Sequence, residues 1–255
     1  MIRVVFNQKG GVGKSTITCN LAAISASHGL KTLVIDLDAQ SNASHYLVPE
    51  PIAESDRTVA GYFEDTLSLR IYPRDLSEFI HPTSLDNLHL MPAHEALDTL
   101  HGRLESRYKI YKLRDALAAL EGYDRIYIDT PPALNFYTRS ALIAADRCLI
   151  PFDCDAFARQ AIDELMANVR ELQADHNPDL SVEGVIVNQF QSRARLPAAL
   201  IAELREAGHR VLEPFLSASV KVRESHQAAQ PLIMLAPRHK LTEQYKMLHA
   251  SLEAL

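Results

Sequence analysis

Short apolar runs alternate with amphipathic helical stretches along most of this chain of 255 residues. The apolar runs predict strands at residues 2–6, 32–35, 88–91, 125–128, 147–150 and 182–187. Continuous runs such as Leu33-Val34-Ile35 are typical of parallel strands that are buried on both faces. Because strands alternate with helices, the pattern predicts an α/β fold with a largely parallel, twisted sheet and helices on both faces.

The helical stretches repeat apolar residues at a spacing of three to four, which gives each predicted helix one buried face. These faces hold Ile17, Leu21 and Ile24, then Ile162, Leu165, Met166, Val169 and Leu172, and finally Leu200, Ile201 and Leu204. The stretch from residue 48 to 86 is the least regular and contains four prolines, so it predicts loops and short helices. Because no repeat, low-complexity tract or linker is visible, we expect one domain over residues 1–255.

Composition excludes some function classes. The net charge is -6, so a nucleic-acid role would need a local basic patch. The three cysteines form no Cys-x-x-Cys pair and are expected to be reduced. No signal peptide is visible, and no apolar run reaches the ~18 residues of a membrane span. The protein is therefore expected to be cytoplasmic.

The segment after the first predicted strand carries the strongest chemical signal. It reads Lys9-Gly10-Gly11-Val12-Gly13-Lys14-Ser15-Thr16 and opens a predicted helix. In a phosphate-binding loop, glycines let backbone N–H groups approach phosphate oxygens, and the helix N-terminus favours the same anion. Lys14 would neutralise the β- and γ-phosphates, Ser15 would coordinate Mg²⁺, and Thr16 would lie near the α-phosphate. A plain glycine-rich turn is the alternative.

This loop resembles the deviant Walker A box of the ParA/MinD family, because Gln8 occupies the position of the usual first glycine and Lys9 follows it. The resemblance implies that Lys9 reaches across a dimer interface to the nucleotide of the partner subunit. It also implies a P-loop nucleoside triphosphatase that uses ATP and Mg²⁺ and forms an ATP-dependent homodimer. From the residues alone, a solvated lysine on a loop is the alternative for Lys9.

Carboxylates follow two of the predicted strands. Asp36 and Asp38 follow the second strand, and like charges there repel unless a cation or a reacting water uses them. Asp129 ends another apolar run, where holding Mg²⁺ through water would offset the cost of an unpaired carboxylate, although an ordinary helix-capping role is the alternative. By resemblance to the family's switch segments, Asp38 orients or activates the attacking water and Asp36 supports the magnesium shell. Ala39 replaces the usual proline of the first switch.

Asn188 follows the predicted strand at residues 182–187 and resembles the family's adenine-reading asparagine, whose amide can both donate and accept. A turn asparagine is the alternative. The guanine-specific Asn-Lys-x-Asp pattern is absent, which favours ATP over GTP. By resemblance, Asp155 falls where family members often carry a Glu that contacts the partner's ribose.

The segment from Ser217 to Glu224 resembles the family's P-R-N-V-R-L-S-E-A stretch, with Ser217 and Ala218 in place of Pro-Arg. Lys221 falls on the arginine that contacts DNA phosphates in DNA-binding members, and Arg223 adds a second local charge. A separate basic and aromatic cluster could be a nucleic-acid surface or a solvated helix face: Arg103, Arg107, Tyr108, Lys109, Tyr111, Lys112 and Arg114.

The resemblance implies a short ParA-like partition ATPase without an operator-binding domain. Such a protein would bind nucleoid DNA without sequence preference, and a ParB-like protein or cargo adaptor would stimulate its hydrolysis. The cargo could be a plasmid, a chromosome or a protein assembly.

A MinD-like membrane-cycling ATPase is the alternative. Its membrane-binding helix would use an apolar stripe formed by Leu241, Tyr245, Leu248, Leu252 and Leu255. Glu243 and Glu253 on the same stretch argue against membrane binding. A nitrogenase-iron-protein relative would need paired cluster cysteines, which Cys148 and Cys154 do not match, and no signature indicates a small-molecule ligase.

Overall fold

The computed structural model describes residues 1–48, 50, 54–68, 74–153, 158–191 and 195–254. Its strands are β1 (Ile2–Val5), β2 (Thr32–Asp36), β3 (His81–Pro82), β4 (Leu88–Met91), β5 (Arg125–Asp129), β6 (Arg147–Asp153), β7 (Ser181–Asn188) and β8 (Val211–Leu212). Its helices are α1 (Lys14–Ser27), α2 (Asn42–Leu47), α3 (Val59–Leu67), α4 (Leu97–Ser106), α5 (Lys112–Ala119), α6 (Phe136–Ala144), α7 (Ala158–Asp175), α8 (Arg195–Glu206), α9 (Lys221–Gln227), α10 (Leu232–Leu235) and α11 (Lys240–Glu253).

The strands form one eight-stranded sheet in the order β3-β4-β2-β5-β1-β6-β7-β8. Every neighbouring pair is parallel except β3 and β4. The carboxyl ends of β1, β2, β5 and β7 therefore meet at one edge of the sheet. In open α/β sheets this edge is where ligands bind.

Two apolar cores cover the faces of the sheet, because successive residues of a strand point to opposite sides. In β2, Leu33 and Ile35 join the core beneath α3 to α8, whereas Val34 joins the core that packs against α1, α2, α10 and α11. All three side chains are fully buried. This two-sided burial explains the continuous apolar runs of the sequence.

The predicted fold class is confirmed, and each predicted strand is present within a few residues of its expected bounds. β6 continues to Asp153, three residues beyond the predicted end. The strands that were not predicted, β3 and β8, have two residues each and lie at the sheet edges, where too few residues alternate to produce a pattern. The irregular stretch contains α3, whose N-terminal cap is the Thr58 side chain accepting from the Ala60 amide at 3.2 Å.

Candidate nucleotide-binding site

The loop between β1 and α1 has the backbone that an anion site requires. Gly11 and Gly13 adopt positive φ angles of 76° and 92°, which L side chains rarely tolerate. α1 begins directly at Lys14 and has no acidic residue in its first turn, so its positive end is not neutralised by the helix itself. The loop can therefore present backbone amides to phosphate, with Gly10 exposed beside them.

Lys14 is folded back over this loop. Its side chain is 7% exposed, and its Nζ donates to the Lys9 carbonyl at 3.1 Å. Burial lowers the pKa of Lys14 below its usual value, and the charges of Asp129 and Asp38 oppose that shift. A phosphate group would favour the ammonium form again, so Lys14 is suited to an anionic ligand.

Lys9 is exposed on the same loop, as a residue that reaches another subunit must be. Its backbone amide donates to Asn7 Oδ1 at 2.9 Å. The Asn7 amide in turn donates to the Pro151 carbonyl at 2.7 Å. These bonds hold the start of the loop against the end of β6, so the backbone at Lys9 is fixed from within the subunit.

Asp129, at the end of β5, is fully buried. Its Oδ1 accepts from the Thr18 hydroxyl at 3.5 Å, whereas Oδ2 has no hydrogen-bond partner among the described residues. Burial and the nearby Asp36 charge raise the pKa of Asp129 well above its usual value, while Ser15 and Lys14 partly offset the rise. A buried carboxylate oxygen without a donor is costly unless a cation or bound water completes its environment.

Asp36 is the best-satisfied acid of the site. Its Oδ2 accepts from the amide and hydroxyl of Ser44, at 2.8 and 2.7 Å, and its Oδ1 accepts from the Asp38 amide at 3.1 Å. Burial raises the pKa of Asp36 to about 6, although the Ser44 bonds lower it. Asp36 therefore holds the loop between β2 and α2 in shape, and its predicted part in the magnesium shell stays a prediction.

Asp38 lies within that loop and is 7% exposed. Its Oδ1 accepts from the Gln40 amide at 3.1 Å and its carbonyl accepts from the Ser41 amide at 2.8 Å. The loop therefore closes around Asp38 and fixes its carboxylate near Lys14, whose pKa responds to the charge of Asp38. This position suits a group that orients water beside a phosphate.

Asn188 at the end of β7 contacts the same loop. Its Nδ2 donates to the Val12 carbonyl at 2.9 Å, and a Cβ added to Gly13 would lie 2.2 Å from that Nδ2. Gly13 is therefore required both for its backbone conformation and for the close approach of Asn188. The amide lies beside a cavity of about 560 Å³, which the loop glycines, Thr16, Gln189 and the segment from Ser217 to Arg223 surround.

The structure brings together the P-loop residues, Asp36, Asp38, Asp129 and Asn188 at one edge of the sheet. Lys221 and Arg223 lie on α9, where Lys221 pairs with Glu224 at 2.5 Å and Arg223 borders the cavity. Asp155 lies outside the described residues. Sequence reasoning missed Ser44, which donates to Asp36, and His226, which contacts Thr16 from far along the chain.

The described residues contain no cluster of three or more His, Cys, Asp or Glu side chains with metal-holding geometry. A Mg²⁺ site typically takes one or two protein ligands and completes its shell with water and phosphate oxygens. The Oδ2 atom of Asp129, which has no donor among the described residues, and the nearby Ser15 fit such an ion. Within the described part of the chain, no helix is both long and apolar enough to cross a bilayer.

Comparison with known proteins gives extensive matches. A family model described as an AAA domain matches residues 1–182. The chain is 34% identical over 249 residues to the chromosome partitioning protein ParA of Myxococcus xanthus. The alignment covers 94% of this chain and 83% of that protein. It is 32% identical over 247 residues to the sporulation initiation inhibitor protein Soj of Bacillus subtilis, covering 96% and 94% of the two chains.

Solved structures share the architecture. Apo McdA of Cyanothece superimposes with a TM-score of 0.86 at 23% identity, covering 99% of this chain and 98% of that one. Cobyrinic acid a,c-diamide synthase of Mycobacterium smegmatis, with a bound ATP analogue and magnesium, gives 0.82 at 24% identity and covers 99% and 93%. At these identities the likeness shows the fold alone.

Proposed function

This chain belongs to the ParA/Soj family of P-loop partition ATPases, and from that premise we propose a specific cycle for it. It binds ATP with Mg²⁺, dimerises around the nucleotide and, in that state, binds duplex DNA without sequence preference. A ParB-like protein or a cargo adaptor then stimulates hydrolysis, which releases the dimer and positions a plasmid, a chromosome or a protein assembly.

One observation carries the nucleotide part of this proposal. Lys14, Asp38 and Asp129 are buried together at the edge where the P-loop opens α1, and the Oδ2 atom of Asp129 lacks a donor among the described residues. Three buried charges of this kind are costly in a resting protein. A triphosphate with its cation supplies the missing partners, because phosphate pairs with Lys14 and the cation pairs with the acids.

Ser15 and Asp129 would hold the magnesium ion, Asp129 through water, with Asp36 as the predicted outer support. When bound, the ion would neutralise charge on the β- and γ-phosphate oxygens. Lys14 would turn from the Lys9 carbonyl to the phosphates and stabilise the charge that develops during transfer. Asp38 would orient the attacking water, and its fixed loop provides the rigidity that such orientation needs.

Dimerisation is assigned to Lys9 by the family resemblance. Its backbone is fixed by Asn7, and the residue is exposed. A lysine in that position can reach a phosphate bound by a facing subunit, so ATP would act as the ligand that orders the dimer. Asp155 would contact the partner's nucleotide in the same interface.

DNA binding is assigned to α9, which carries Lys221 and Arg223. The net charge of -6 means that only a local patch can hold DNA, and a dimer would double that patch. Binding to chromosomal DNA would concentrate the protein on the nucleoid. The basic and aromatic cluster around Tyr108 is partly neutralised, since Arg103 lies near Glu64 at 3.7 Å and Arg114 pairs with Asp115 at 2.9 Å, which favours the solvated face.

The membrane-cycling alternative is disfavoured by the packing of α11. Leu241, Tyr245, Leu248 and Leu252 are at most 1% exposed and belong to the core against α1. Glu253 at the end of the helix binds Arg3 at 2.7 Å and also pairs with Arg125. The apolar stripe is therefore already occupied, and releasing it to a membrane would expose this core.

The direct test is ATP turnover by the purified chain with Mg²⁺, with and without EDTA, followed by size-exclusion chromatography with a non-hydrolysable analogue. The expected result is hydrolysis that EDTA abolishes and an analogue-dependent dimer. A protein that binds no ATP by calorimetry would refute the proposal. A protein that binds ATP and remains monomeric would refute its dimer step.

A further inference from the structure

A histidine outside the nucleotide motifs contacts the P-loop helix. His226 Nε2 lies 2.8 Å from the Thr16 hydroxyl, although 210 residues separate them in the sequence. Thr16 borders the same cavity as Gly11 and Gly13. His226 therefore contacts a residue that faces the proposed nucleotide, and it does so from α9.

The imidazole is held on its other side by Tyr46. The two rings are stacked, with centroids 3.9 Å apart and an interplanar angle of 15°. Tyr46 lies on α2, directly after the loop that contains Asp38, and is 1% exposed. Its hydroxyl bonds to Ser225 Oγ at 2.6 Å and accepts from Asn20 Nδ2 at 3.0 Å. One imidazole thus joins α1, α2 and α9.

The chemistry of the Thr16 hydroxyl links this contact to the ligand. A hydroxyl has one proton to donate, and phosphate oxygens only accept. When Thr16 donates to a phosphate, it can only accept from His226, which must then carry its proton on Nε2. Burial lowers the pKa of His226 below its usual value, so near neutral pH the ring is uncharged and has one N–H to place on either nitrogen.

We propose that His226 is a positioning residue that couples the nucleotide at Thr16 to helix α9 and its cations, Lys221 and Arg223. In the nucleotide-bound protein it donates from Nε2 to Thr16 and thereby holds α9 against the P-loop helix. Coupling between two sites is reciprocal. If nucleotide binding orders α9, the ordered α9 in turn raises the affinity of the protein for ATP. This inference rests on the proposed nucleotide binding and adds a route from that site to α9.

Two substitutions separate the functions of the ring. His226→Phe keeps an aromatic face for Tyr46 and removes the hydrogen bond, whereas His226→Gln can still reach Thr16 with an amide. Loss of one such bond should weaken ATP binding by about 2- to 10-fold, and His226→Gln should recover most of that loss. His249→Phe is the matched control, because His249 Nε2 makes the same 2.8 Å contact with Ser25 elsewhere along α1.

The experiment combines ATP calorimetry, hydrogen exchange of α9 and nitrogen-15 NMR of the histidines, using wild type and the three variants with Mg²⁺ and a non-hydrolysable analogue. We expect nucleotide binding to slow hydrogen exchange in α9 of the wild type and of His249→Phe, but not in α9 of His226→Phe. In the NMR spectra we expect an Nε2–H signal in the wild type that is lost in His226→Phe. Wild-type affinity and wild-type protection of α9 in His226→Phe, or a bound His226 protonated only on Nδ1, would overturn the inference alone. A wild-type protein that binds no nucleotide would overturn the proposed function and this inference with it.

Discussion

Asp36 and Asp129 occupy the same register position on the adjacent parallel strands β2 and β5, and both side chains are fully buried. Burial raises the pKa of both acids, and the charge of Asp36 raises the pKa of Asp129 further, because burial and neighbouring negative charge disfavour the ionised form. Ser44 satisfies Asp36, whereas Asp129 keeps one oxygen without a donor among the described residues. The two buried acids thus contribute an unfavourable electrostatic free energy at the edge of the sheet where the ligand would bind.

Replacing Asp129 by Asn should therefore stabilise the nucleotide-free protein while it impairs function. Removing the buried charge is worth on the order of 1 kcal/mol, which corresponds to a rise in melting temperature of about 2–4 °C for a chain of this size. The measurement is thermal unfolding at pH 8 in EDTA, with ATP turnover in Mg²⁺ on the same samples. Asp86→Asn, at an exposed position, is the control; a destabilised Asp129→Asn protein would contradict the electrostatic argument.

Lys14→Ala should impair ATP binding, whereas Lys9→Ala should impair ATP-dependent dimerisation. Lys14→Ala removes the phosphate charge, so ATP affinity should fall by about 100-fold. Lys9→Ala should keep ATP affinity within about 2-fold, since its proposed target belongs to the partner, and should lose the analogue-dependent dimer. Calorimetry and chromatography measure the two effects, with Lys112→Ala as an exposed control. Equal behaviour of Lys9→Ala and wild type in both assays would return Lys9 to a solvated loop residue.

Asp38→Ala should bind ATP and hydrolyse it more slowly, by about 100-fold or more, because the water would lose its orienting group. The dimer should then persist with ATP itself. Single-turnover hydrolysis and chromatography in ATP test this expectation. Turnover at the parent rate would remove Asp38 from the mechanism.

Substitutions of Lys221 and of Glu224, which form an ion pair, should change the affinity for DNA in opposite directions. Each phosphate contact contributes about one unit to the slope of log affinity against log salt. Lys221→Ala should therefore flatten that slope by about one unit on every DNA sequence, whereas Glu224→Gln releases Lys221 and should strengthen binding at low salt. Fluorescence anisotropy with the ATP-bound protein measures both. If neither variant differs from wild type, α9 is not the DNA surface.

Acid should destabilise the protein through His249. Burial lowers the pKa of His249 to about 4, below the ~6.5 of an unfolded chain, so protonation favours the unfolded state. The stability contributed by the neutral ring is full above pH ~6.5 and is lost as pH falls toward 4. Between pH 7 and pH 5, the melting temperature of His249→Gln should consequently fall less than that of the wild type, and the difference between the two drops should be about 5 °C. Parallel curves for the two proteins would contradict the assignment.

The sequence predicted most of the sheet and the phosphate-binding loop, because buried parallel strands and a Gly-Lys-Ser helix start are local patterns. It did not predict His226 beside Thr16, since nothing local in either segment indicates a partner 210 residues away. Arg223 was assigned to DNA from a matching stretch, yet its position bordering the cavity depends on how α9 packs against the P-loop. Tertiary packing thus decided the contacts that local patterns could not specify.

Gly13 and Asn188 approach so closely that no side chain fits between them. Asn188 is predicted to face the base of a nucleotide and the loop to face its phosphates, so the hydrogen bond from Asn188 to the Val12 carbonyl joins the two predicted parts of the site. Adenosine and tripolyphosphate should therefore behave as cooperative fragments, each binding better when the other is present. Selectivity for the base would then be expressed partly in how firmly the phosphates are held.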